Sequence, residues 1–256
     1  MAPIIEIIRH AEARNNVEGP HVGDPELTPK GQDQCYELAQ SYPEMDKIAH
    51  IVASPMKRTI LTAIITFIEF LDAGKKVTVL PELQENSARA CDTGSPLHEL
   101  KLEFDDYVEW GGLPQTWFDK GLCTRFAPEK DKVEERARVA RAWLRDLARR
   151  TDPDRRIVVV THGAFAHFLT EDFSGLEPGR GSGVFPNAGW KSYRFADLDG
   201  RDDRAALVLS EEEKSKAPGP HWDDLDGAEK SRLRGYALER LERHYNEAKK
   251  IFRGLN

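Results

Sequence analysis

The chain has 256 residues, of which 39% are hydrophobic and 32% charged, and its 37 basic and 44 acidic side chains give a formal net charge of −7. This length suits one α/β domain with a full core, and no apolar run approaches the ~20 residues that a membrane-spanning helix needs. The acidic balance argues against general nucleic-acid binding, which needs basic stripes. Cys35, Cys91 and Cys123 are too widely spaced to indicate a disulfide framework or a metal site, so we expect a reducing, cytoplasmic compartment.

Short apolar runs alternate along the chain with longer helical patterns, which is typical of an α/β fold. The first run meets charge at Glu6 and Arg9, too early for a signal peptide, and is predicted to be a strand. The predicted strands lie at 3–8, 48–53, 77–80, 156–161, 190–195 and 205–209. The predicted helices lie at 28–42, 56–71, 128–150 and 164–172. The run at 156–161 (RIVVVT) has the strongest strand pattern, so we expect it near the centre of the sheet.

Two regions fall outside this alternation. Residues 86–127 lack a clear periodicity, and a stretch of that length between sheet elements is more often functional than idle. The tail from residue 211 onward is highly charged but carries an amphipathic helical pattern. Its apolar positions are Leu238, Leu241, Tyr245, Ala248 and Phe252. We expect this helix to pack on its own domain, with binding of a partner, including a second copy of the chain, as the alternative.

Basic and imidazole side chains follow three of the predicted strands. The first strand ends in Arg9-His10, the second is followed by Ser54 and Arg58, and the strongest ends in Thr161-His162-Gly163. In α/β proteins, sites form at the carboxyl ends of parallel strands. A single histidine after a strand is more often structural, but three strand ends with the same chemistry predict one shared site.

These residue types suit a phosphate site with a histidine nucleophile. Arginine offers a planar fork of donors to phosphate oxygens, and a histidine can attack phosphorus through one ring nitrogen when the other donates to an acceptor. The helix starts after Ser54-Pro55 and at Gly163 are expected to add backbone N–H donors. Such a site needs no metal and no cofactor, because side chains already supply the positive charge.

At these strand ends the chain resembles the histidine phosphatase superfamily, which includes the cofactor-dependent phosphoglycerate mutases. The family pattern is a strand ending in Arg-His-Gly, an Asn six residues after the histidine, Leu-Thr-x-x-Gly-x-x-Gln and Ser-x-x-x-Arg-Thr segments, and a Thr-His-Gly strand end. The resemblance spans about residues 3–196. The matching residues are Arg9, His10, Asn16, Leu27, Thr28, Gly31, Gln34, Ser54, Arg58, Thr59, Thr161, His162 and Gly163.

The resemblance implies a fold and a set of roles. The fold would be a phosphoglycerate mutase-like three-layer α/β/α sandwich, whose mostly parallel sheet has about six strands. A single domain would span 1–256, with a cap insertion at about 86–127 and a helical tail at about 211–256. His10 would be phosphorylated, and the groups that hold the phosphoryl group would be Arg9, Asn16, Arg58, His162 and Gly163.

The general acid of the family usually lies in a Leu-x-Glu segment after the third strand. Leu83-Gln84-Glu85 matches that segment, so Glu85 is the predicted acid and Glu82 the alternative. A carboxylic acid there would protonate the leaving alkoxide and then activate water. One position departs from the pattern, because Ala11 replaces the hallmark glycine and would be strained if the backbone required a positive φ.

Charge in the segment 87–126 favours hydrolysis over mutase chemistry. A mutase binds a second phosphate, but this segment holds four cations, Arg89, Lys101, Lys120 and Arg125, against seven carboxylates. We therefore predict a phosphatase acting on a small-molecule phosphomonoester, with neither nucleic acid nor membrane as a partner. Two alternatives are a phosphoglycerate mutase and a catalytically weak regulator that binds a phosphorylated ligand. The segment's aromatic residues would either line a cap over the leaving group or pack on one another; they are Phe104, Tyr107, Trp110, Trp117 and Phe118.

Overall fold

A computed structural model describes residues 2–178, 183, 185–200, 202–216 and 221–253. Within these residues the chain forms one seven-stranded sheet. The strands are β1 (Ile4–Arg9), β2 (Ile48–Ala53), β3 (Val77–Val79), β4 (Val108–Glu109), β5 (Arg156–Thr161), β6 (Trp190–Phe195) and β7 (Leu207–Leu209). Their order across the sheet is β4-β3-β2-β5-β1-β6-β7.

The sheet is mostly parallel, as predicted. Strands β1 to β5 run parallel to one another, while β6 pairs antiparallel with both β1 and β7 at one edge. β5 lies in the middle of the sheet and all of its residues are buried, which confirms the prediction from its apolar pattern. β4 was missed because two residues are too short to show an alternating pattern.

Helices cover both faces of the sheet. They are α1 (Arg14–Val17), α2 (Pro29–Ser41), α3 (Lys57–Thr66), α4 (Ile68–Asp72), α5 (Leu97–Phe104), α6 (Lys130–Arg149), α7 (Gly163–Thr170), α8 (Glu211–Lys216) and α9 (Gly227–Arg253). Because side chains alternate along β5, Ile157 and Val159 pack in one apolar cluster with α6, α7 and α9. Val158 and Val160 pack in the other cluster, with α2 to α5. The fold is therefore the predicted three-layer α/β/α sandwich.

The predicted helix at 56–71 is divided in two. α3 ends at Thr66, and Phe67 has φ −118° and ψ 35°, outside the helical region, before α4 begins. Phe67 is fully buried against the Tyr42 ring, with the ring centroids 5.3 Å apart and almost perpendicular. Apolar periodicity runs through the break, so the sequence alone did not reveal it.

The segment 86–127 holds a short 3₁₀ helix (Ala90–Asp92), α5 and β4. Three of its aromatic side chains, Phe104, Trp110 and Trp117, are buried in the cluster that includes α3 and α5. A Cβ on Gly94 would lie 1.9 Å from the Trp117 ring, so this glycine is needed for the close approach. These three aromatics therefore pack into the core of the domain, whereas Tyr107 is exposed.

α9 packs on its own domain through a buried stripe of Leu233, Ala237, Leu241, His244 and Ala248. Leu241 and Ala248 were predicted, whereas the predicted Leu238, Tyr245 and Phe252 are only partly buried. His244 was missed because an apolar pattern could not include a histidine. Within the described residues, no helix combines the length and the apolar character that crossing a membrane requires.

Candidate active site

The carboxyl ends of β1, β2 and β5 bring the predicted site residues together. Arg9 is in register with Thr161, and the His10 N–H donates to the Thr161 carbonyl at 2.9 Å. The Ser54 N–H donates to the Val160 carbonyl at 3.0 Å. As a result the rings of His10 and His162 meet edge to face, with their centroids 5.2 Å apart.

The hydrogen bonding of His10 fixes which ring nitrogen is available for attack. Nδ1 lies 2.7 Å from the Ala11 carbonyl oxygen, which can only accept, so Nδ1 carries the proton. Nε2 then carries the lone pair. Burial lowers the pKa of His10 well below its ordinary value, and the positive charges of Arg58 and Arg9 lower it further. His10 is therefore a neutral imidazole at neutral pH, which is the nucleophilic form.

Arg58 and His162 form a buried pair beside His10. The Arg58 Nη2 donates to His162 Nδ1 at 3.0 Å, and His162 Nε2 lies 2.9 Å from the Ser54 hydroxyl. Because a guanidinium only donates, Nδ1 of His162 accepts and its Nε2 carries the proton. Burial, followed by the charge of Arg58, lowers the pKa of His162 well below its ordinary value. The Arg58 Nε is buried and has no hydrogen-bond partner among the described residues.

Arg58 is held in place by residues that sequence reasoning missed. Its Nη1 donates to the Cys91 carbonyl at 2.5 Å and its Nη2 to Asp92 Oδ1 at 2.9 Å. Asp92 in turn accepts from the Ser87 hydroxyl. In the sequence Asp92 counted only as one of seven carboxylates, and no local pattern marked it as buried.

Arg9 and Asn16 are both bound by residues that precede β6. The Arg9 Nη1 donates to the Phe185 carbonyl at 3.0 Å, and burial lowers the pKa of Arg9 to about 10, so it stays charged at neutral pH. The Asn16 Oδ1 accepts from the Ala13 N–H at 3.0 Å and from the Asn187 amide at 3.3 Å. Asn187, which was not predicted, also donates to the His10 carbonyl at 3.1 Å.

Glu85 lies at the start of α7. Its Oε1 accepts from the Asn86 N–H at 2.9 Å, and its Oε2 accepts from the Ala164 N–H at 3.2 Å. Gly163, directly after His162, is buried in the first turn of the same helix. Glu82 is bound differently, because its carboxylate pairs with Arg125 at 3.0 Å. The geometry thus favours Glu85 over Glu82 as the group facing the strand ends.

The two helix starts that were expected to offer N–H groups to phosphate already hold carboxylates. The Ala164 N–H in α7 binds Glu85, and the Lys57 N–H at the start of α3 binds Asp24 Oδ1 at 3.1 Å. The expectation was wrong for these two N–H groups. Helix N-termini attract carboxylates for the same electrostatic reason that they attract phosphate.

Two buried cations fix the segment that carries Glu85. Lys120 donates to the Glu85 carbonyl at 2.8 Å, and Arg136 donates to the Gln84 carbonyl at 2.5 Å and to Asn86 Oδ1 at 2.9 Å. Burial lowers the pKa of Lys120 well below its ordinary value, and Arg136 adds to this effect. Sequence reasoning gave neither residue a role in the site, since both lie outside the strand ends.

Ala11 causes no backbone strain. Its φ is not positive, its N–H donates to the Thr62 hydroxyl at 3.1 Å, and its carbonyl accepts from His10. The methyl group is fully buried in a small apolar cluster with Ala13, Leu27 and Cys35. The departure from the glycine pattern therefore leaves the His10 geometry intact.

The described part of the chain contains no group of three or more His, Cys, Asp or Glu side chains arranged to hold a metal ion. The positive charge at the strand ends comes instead from Arg9 and Arg58. This arrangement can bind a tetrahedral anion beside a neutral imidazole, with a carboxyl group at the edge of the site.

Comparisons with known proteins identify the family of the chain. The family model described as histidine phosphatase superfamily (branch 1) matches residues 5–202. A protein of Schizosaccharomyces pombe described as a probable phosphatase is 29% identical over 164 residues, which are 62% of this chain and 73% of that protein.

Two solved structures are similar to this chain in fold. A mycobacterial protein described as hydrolase 1 aligns with a TM-score of 0.53 and 22% identity, over 82% of this chain and 97% of its own. The ecdysone phosphate phosphatase of Bombyx mori, in complex with tungstate, aligns with a TM-score of 0.55 and 18% identity, over 75% and 89%. With the family match covering most of the sheet and all three strand ends, the chain belongs to branch 1 of the histidine phosphatase superfamily.

Proposed function

We propose that the chain is a metal-independent phosphomonoester hydrolase that works through a phosphohistidine on His10. The observation that carries this proposal is the hydrogen bond from His10 Nδ1 to the Ala11 carbonyl, which leaves Nε2 as a neutral nucleophile next to two arginines. Membership of the family and the similarity to a probable phosphatase support the same activity.

The first half of the reaction transfers the phosphoryl group to His10. Arg9, Arg58 and His162 hold the phosphate oxygens, with His162 donating through Nε2 in place of its bond to the Ser54 hydroxyl. Asn16 and the backbone at Gly163 border the same group. The Nε2 lone pair forms the P–N bond as the P–O bond to the alcohol breaks, and Glu85 gives its proton to the leaving oxygen. Nδ1 keeps its proton, which it donates to the Ala11 carbonyl throughout.

The second half of the reaction restores the enzyme. Glu85, now a carboxylate, takes a proton from water while the water oxygen forms a bond to phosphorus. The P–N bond then breaks, and its electron pair returns to Nε2 of neutral His10. Inorganic phosphate leaves, and Glu85 again carries the proton that the next turnover requires. The two buried cations Lys120 and Arg136 keep the Glu85 segment in position through both steps.

The contacts of the segment 87–126 support hydrolysis over mutase chemistry. Arg89 pairs with Glu247, Arg125 pairs with Glu82, and Lys120 donates to the Glu85 carbonyl. Three of the four cations counted from the sequence are thus engaged with protein partners. A second phosphate group would have to displace those partners, and the seven carboxylates nearby oppose it. The substrate is therefore a small ester with a single phosphate.

The cellular location proposed for the enzyme is the cytoplasm. All three cysteines are free thiols, with Cys35 and Cys91 buried and Cys123 exposed. Free thiols are typical of a reducing compartment.

The test is hydrolysis of p-nitrophenyl phosphate in the presence of EDTA. We expect turnover by the wild-type protein and a loss of at least ~10⁴-fold in kcat for His10→Ala, because no other group in the site can form the covalent intermediate. The matched control is His98→Ala, which removes an exposed imidazole from α5 and is expected to leave kcat unchanged. Turnover that EDTA abolishes, or that survives His10→Ala, would contradict the proposal.

The intermediate itself can be trapped with Glu85→Gln. p-Nitrophenolate leaves without needing an acid, but hydrolysis of the phosphohistidine needs the base, so this variant is expected to accumulate phosphate on His10. Mass spectrometry after an alkaline quench detects that adduct. Interconversion of 3-phosphoglycerate supported by 2,3-bisphosphoglycerate, faster than ester hydrolysis, would instead favour the mutase alternative.

A further inference from the structure

The segment 185–189, just before β6, lies against the nucleophile. Two of its residues donate to the His10 carbonyl, Asn187 through its side-chain Nδ2 at 3.1 Å and Ala188 through its N–H at 3.3 Å. Ala188 has a φ of +56°, in the left-handed region. A residue other than glycine rarely adopts this conformation unless the contacts around it hold it there. The turn therefore brings both donors to the carbonyl of the nucleophilic residue.

The Asn187 side chain also contacts Asn16. The Asn16 Oδ1 accepts from the Ala13 N–H at 3.0 Å and from the Asn187 Nδ2 at 3.3 Å. A main-chain N–H can only donate, so the Asn16 atom that faces Ala13 is the oxygen of the amide. A main-chain carbonyl can only accept, so the Asn187 atom that faces His10 is the nitrogen. The partners of the two amides thus determine the orientation of both.

The NH₂ group of Asn187 connects Asn16 to the nucleophile. One of its two protons is directed to the His10 carbonyl and the other to the Asn16 oxygen. Because that oxygen already receives two donors, the N–H groups are the part of the Asn16 amide left for a substrate. Asn16 is exposed, whereas His10 is buried at the end of β1, so these N–H groups border the site from the solvent side.

We propose that Asn187 is a positioning residue, which orients the Asn16 amide so that its N–H groups face the phosphoryl oxygens at His10. The proposal rests on the proposed phosphatase activity and assigns Asn187 a role in it. Phosphoryl oxygens accept hydrogen bonds, and an N–H that is already oriented toward them stabilises the charge of the transition state without reorganisation. Without Asn187 a single donor, the Ala13 N–H, holds the Asn16 oxygen, and the amide can turn its oxygen toward the phosphate.

The test is a double-mutant cycle read out by the inhibition constant of orthovanadate, with p-nitrophenyl phosphate as substrate. Vanadate adopts the five-coordinate geometry of phosphoryl transfer, so its affinity reports binding of the transition state. Asn187→Leu keeps a side chain of similar size but no donor, while the Ala188 N–H still binds the His10 carbonyl. We expect Asn187→Leu to raise the inhibition constant about tenfold when Asn16 is present, and less than about twofold in an Asn16→Ala background.

NMR of the asparagine side-chain amides gives a second measurement, with inorganic phosphate as the ligand. The signals of the Asn16 NH₂ group are identified by their loss in Asn16→Ala. In the wild type these signals should shift when phosphate binds, because the N–H groups donate to it. In Asn187→Leu, at a phosphate concentration that gives the same occupancy, the shift should fall to about half or less, since the amide no longer has one orientation.

The inhibition constant does not depend on how much of a preparation is folded, so a poorly folding variant does not change the result. Asn246→Leu, at an exposed position of α9, is the matched control and should keep the wild-type inhibition constant. An equal increase in both backgrounds, no increase with Asn16 present, or an unchanged phosphate shift in Asn187→Leu would overturn the role of Asn187 alone. A wild-type protein that does not hydrolyse p-nitrophenyl phosphate would overturn the phosphatase proposal as well.

Discussion

A buried arginine lies at each end of the central strands, and the two differ in how many carboxylates pair with them. Arg156 begins β5 at the amino end, and Arg58 of α3 contacts His162 at the carboxyl end. At the amino end, Arg156 forms ion pairs with Glu6, Glu44 and Glu212. At the carboxyl end, Arg58 pairs with a single carboxylate, Asp92, and lies close enough to His10 and His162 to lower the pKa of both. Arg156 therefore has three carboxylate partners, whereas Arg58 has one among the described residues.

The pKa values of the arginines show this difference directly. Burial alone pulls the pKa of Arg156 down, but its hydrogen bond to Glu44 and the charges of Glu6 and Glu212 outweigh burial and leave the pKa above the ordinary value. Burial lowers the pKa of Arg9 to about 10, and the attraction of Glu85 does not make up for it. Arg156 at the amino end is thus fully paired and has a structural role, while the arginines at the carboxyl end are suited to binding an anion.

The largest effect is expected from removing one arginine at each end. Arg58→Met should lower kcat/KM for p-nitrophenyl phosphate by about 10²–10³-fold, because a donor to the phosphoryl group is lost. Arg156→Met should leave kcat/KM unchanged but destabilise the fold by about 3 kcal/mol, because Glu6 stays buried without its cation. Steady-state kinetics and urea unfolding measure the two effects.

A double variant is the control for this pair. Glu6→Gln combined with Arg156→Met removes the buried charge together with its partner, so it should recover part of the stability that Arg156→Met loses. Equal stability losses for Arg58→Met and Arg156→Met, or equal losses of activity, would contradict the division into a structural arginine at the amino end and an anion-binding arginine at the carboxyl end.

A smaller effect is expected from an oxyanion. Orthovanadate or inorganic phosphate at 100 times its Kd should stabilise the wild-type protein by about 2.7 kcal/mol, because the anion binds only the folded site. Arg156→Met should keep this increment, and Arg58→Met should lose most of it. Thermal unfolding at several anion concentrations measures the increment, and an equal increment in both variants would place the anion elsewhere.

The sequence located the nucleophile region but not the residues that support it. His10, Arg58 and His162 could be grouped because strand ends of a parallel sheet meet at one edge, which is a local rule that needs no side-chain detail. Asp92, Lys120 and Arg136 act through contacts between residues 34 to 52 positions apart in the chain, and nothing in a local pattern indicates such pairs.

The ends of the helices and strands show the same limit of local sequence patterns. Thr28 was predicted to begin a helix, and it does, since its hydroxyl accepts from the Gly31 N–H at 3.0 Å. The break at Phe67 and the two-residue strand β4 follow from tertiary packing instead. His244 was missed for a related reason: a polar residue on the buried face of α9 disagrees with the apolar periodicity by which such faces are recognised.

The smallest effect concerns pH and separates the buried histidines of the carboxyl end from an exposed one. Because burial lowers the folded-state pKa of His10 below its unfolded value of about 6.5, the unfolded chain binds more protons as the pH falls through that value. Stability is therefore lost toward acid, and His10 contributes about 1.4 kcal/mol per pH unit once the unfolded histidine is fully protonated.

Urea unfolding of the wild type and of His10→Asn between pH 7 and 5 isolates this contribution, since all carboxylates titrate in both proteins and cancel in the difference. The slope of unfolding free energy against pH should be smaller in His10→Asn, whereas His98→Asn on exposed α5 should keep the wild-type slope. Identical slopes for all three proteins would mean that His10 binds protons equally in the folded and unfolded states, so that burial and the nearby arginines do not lower its pKa.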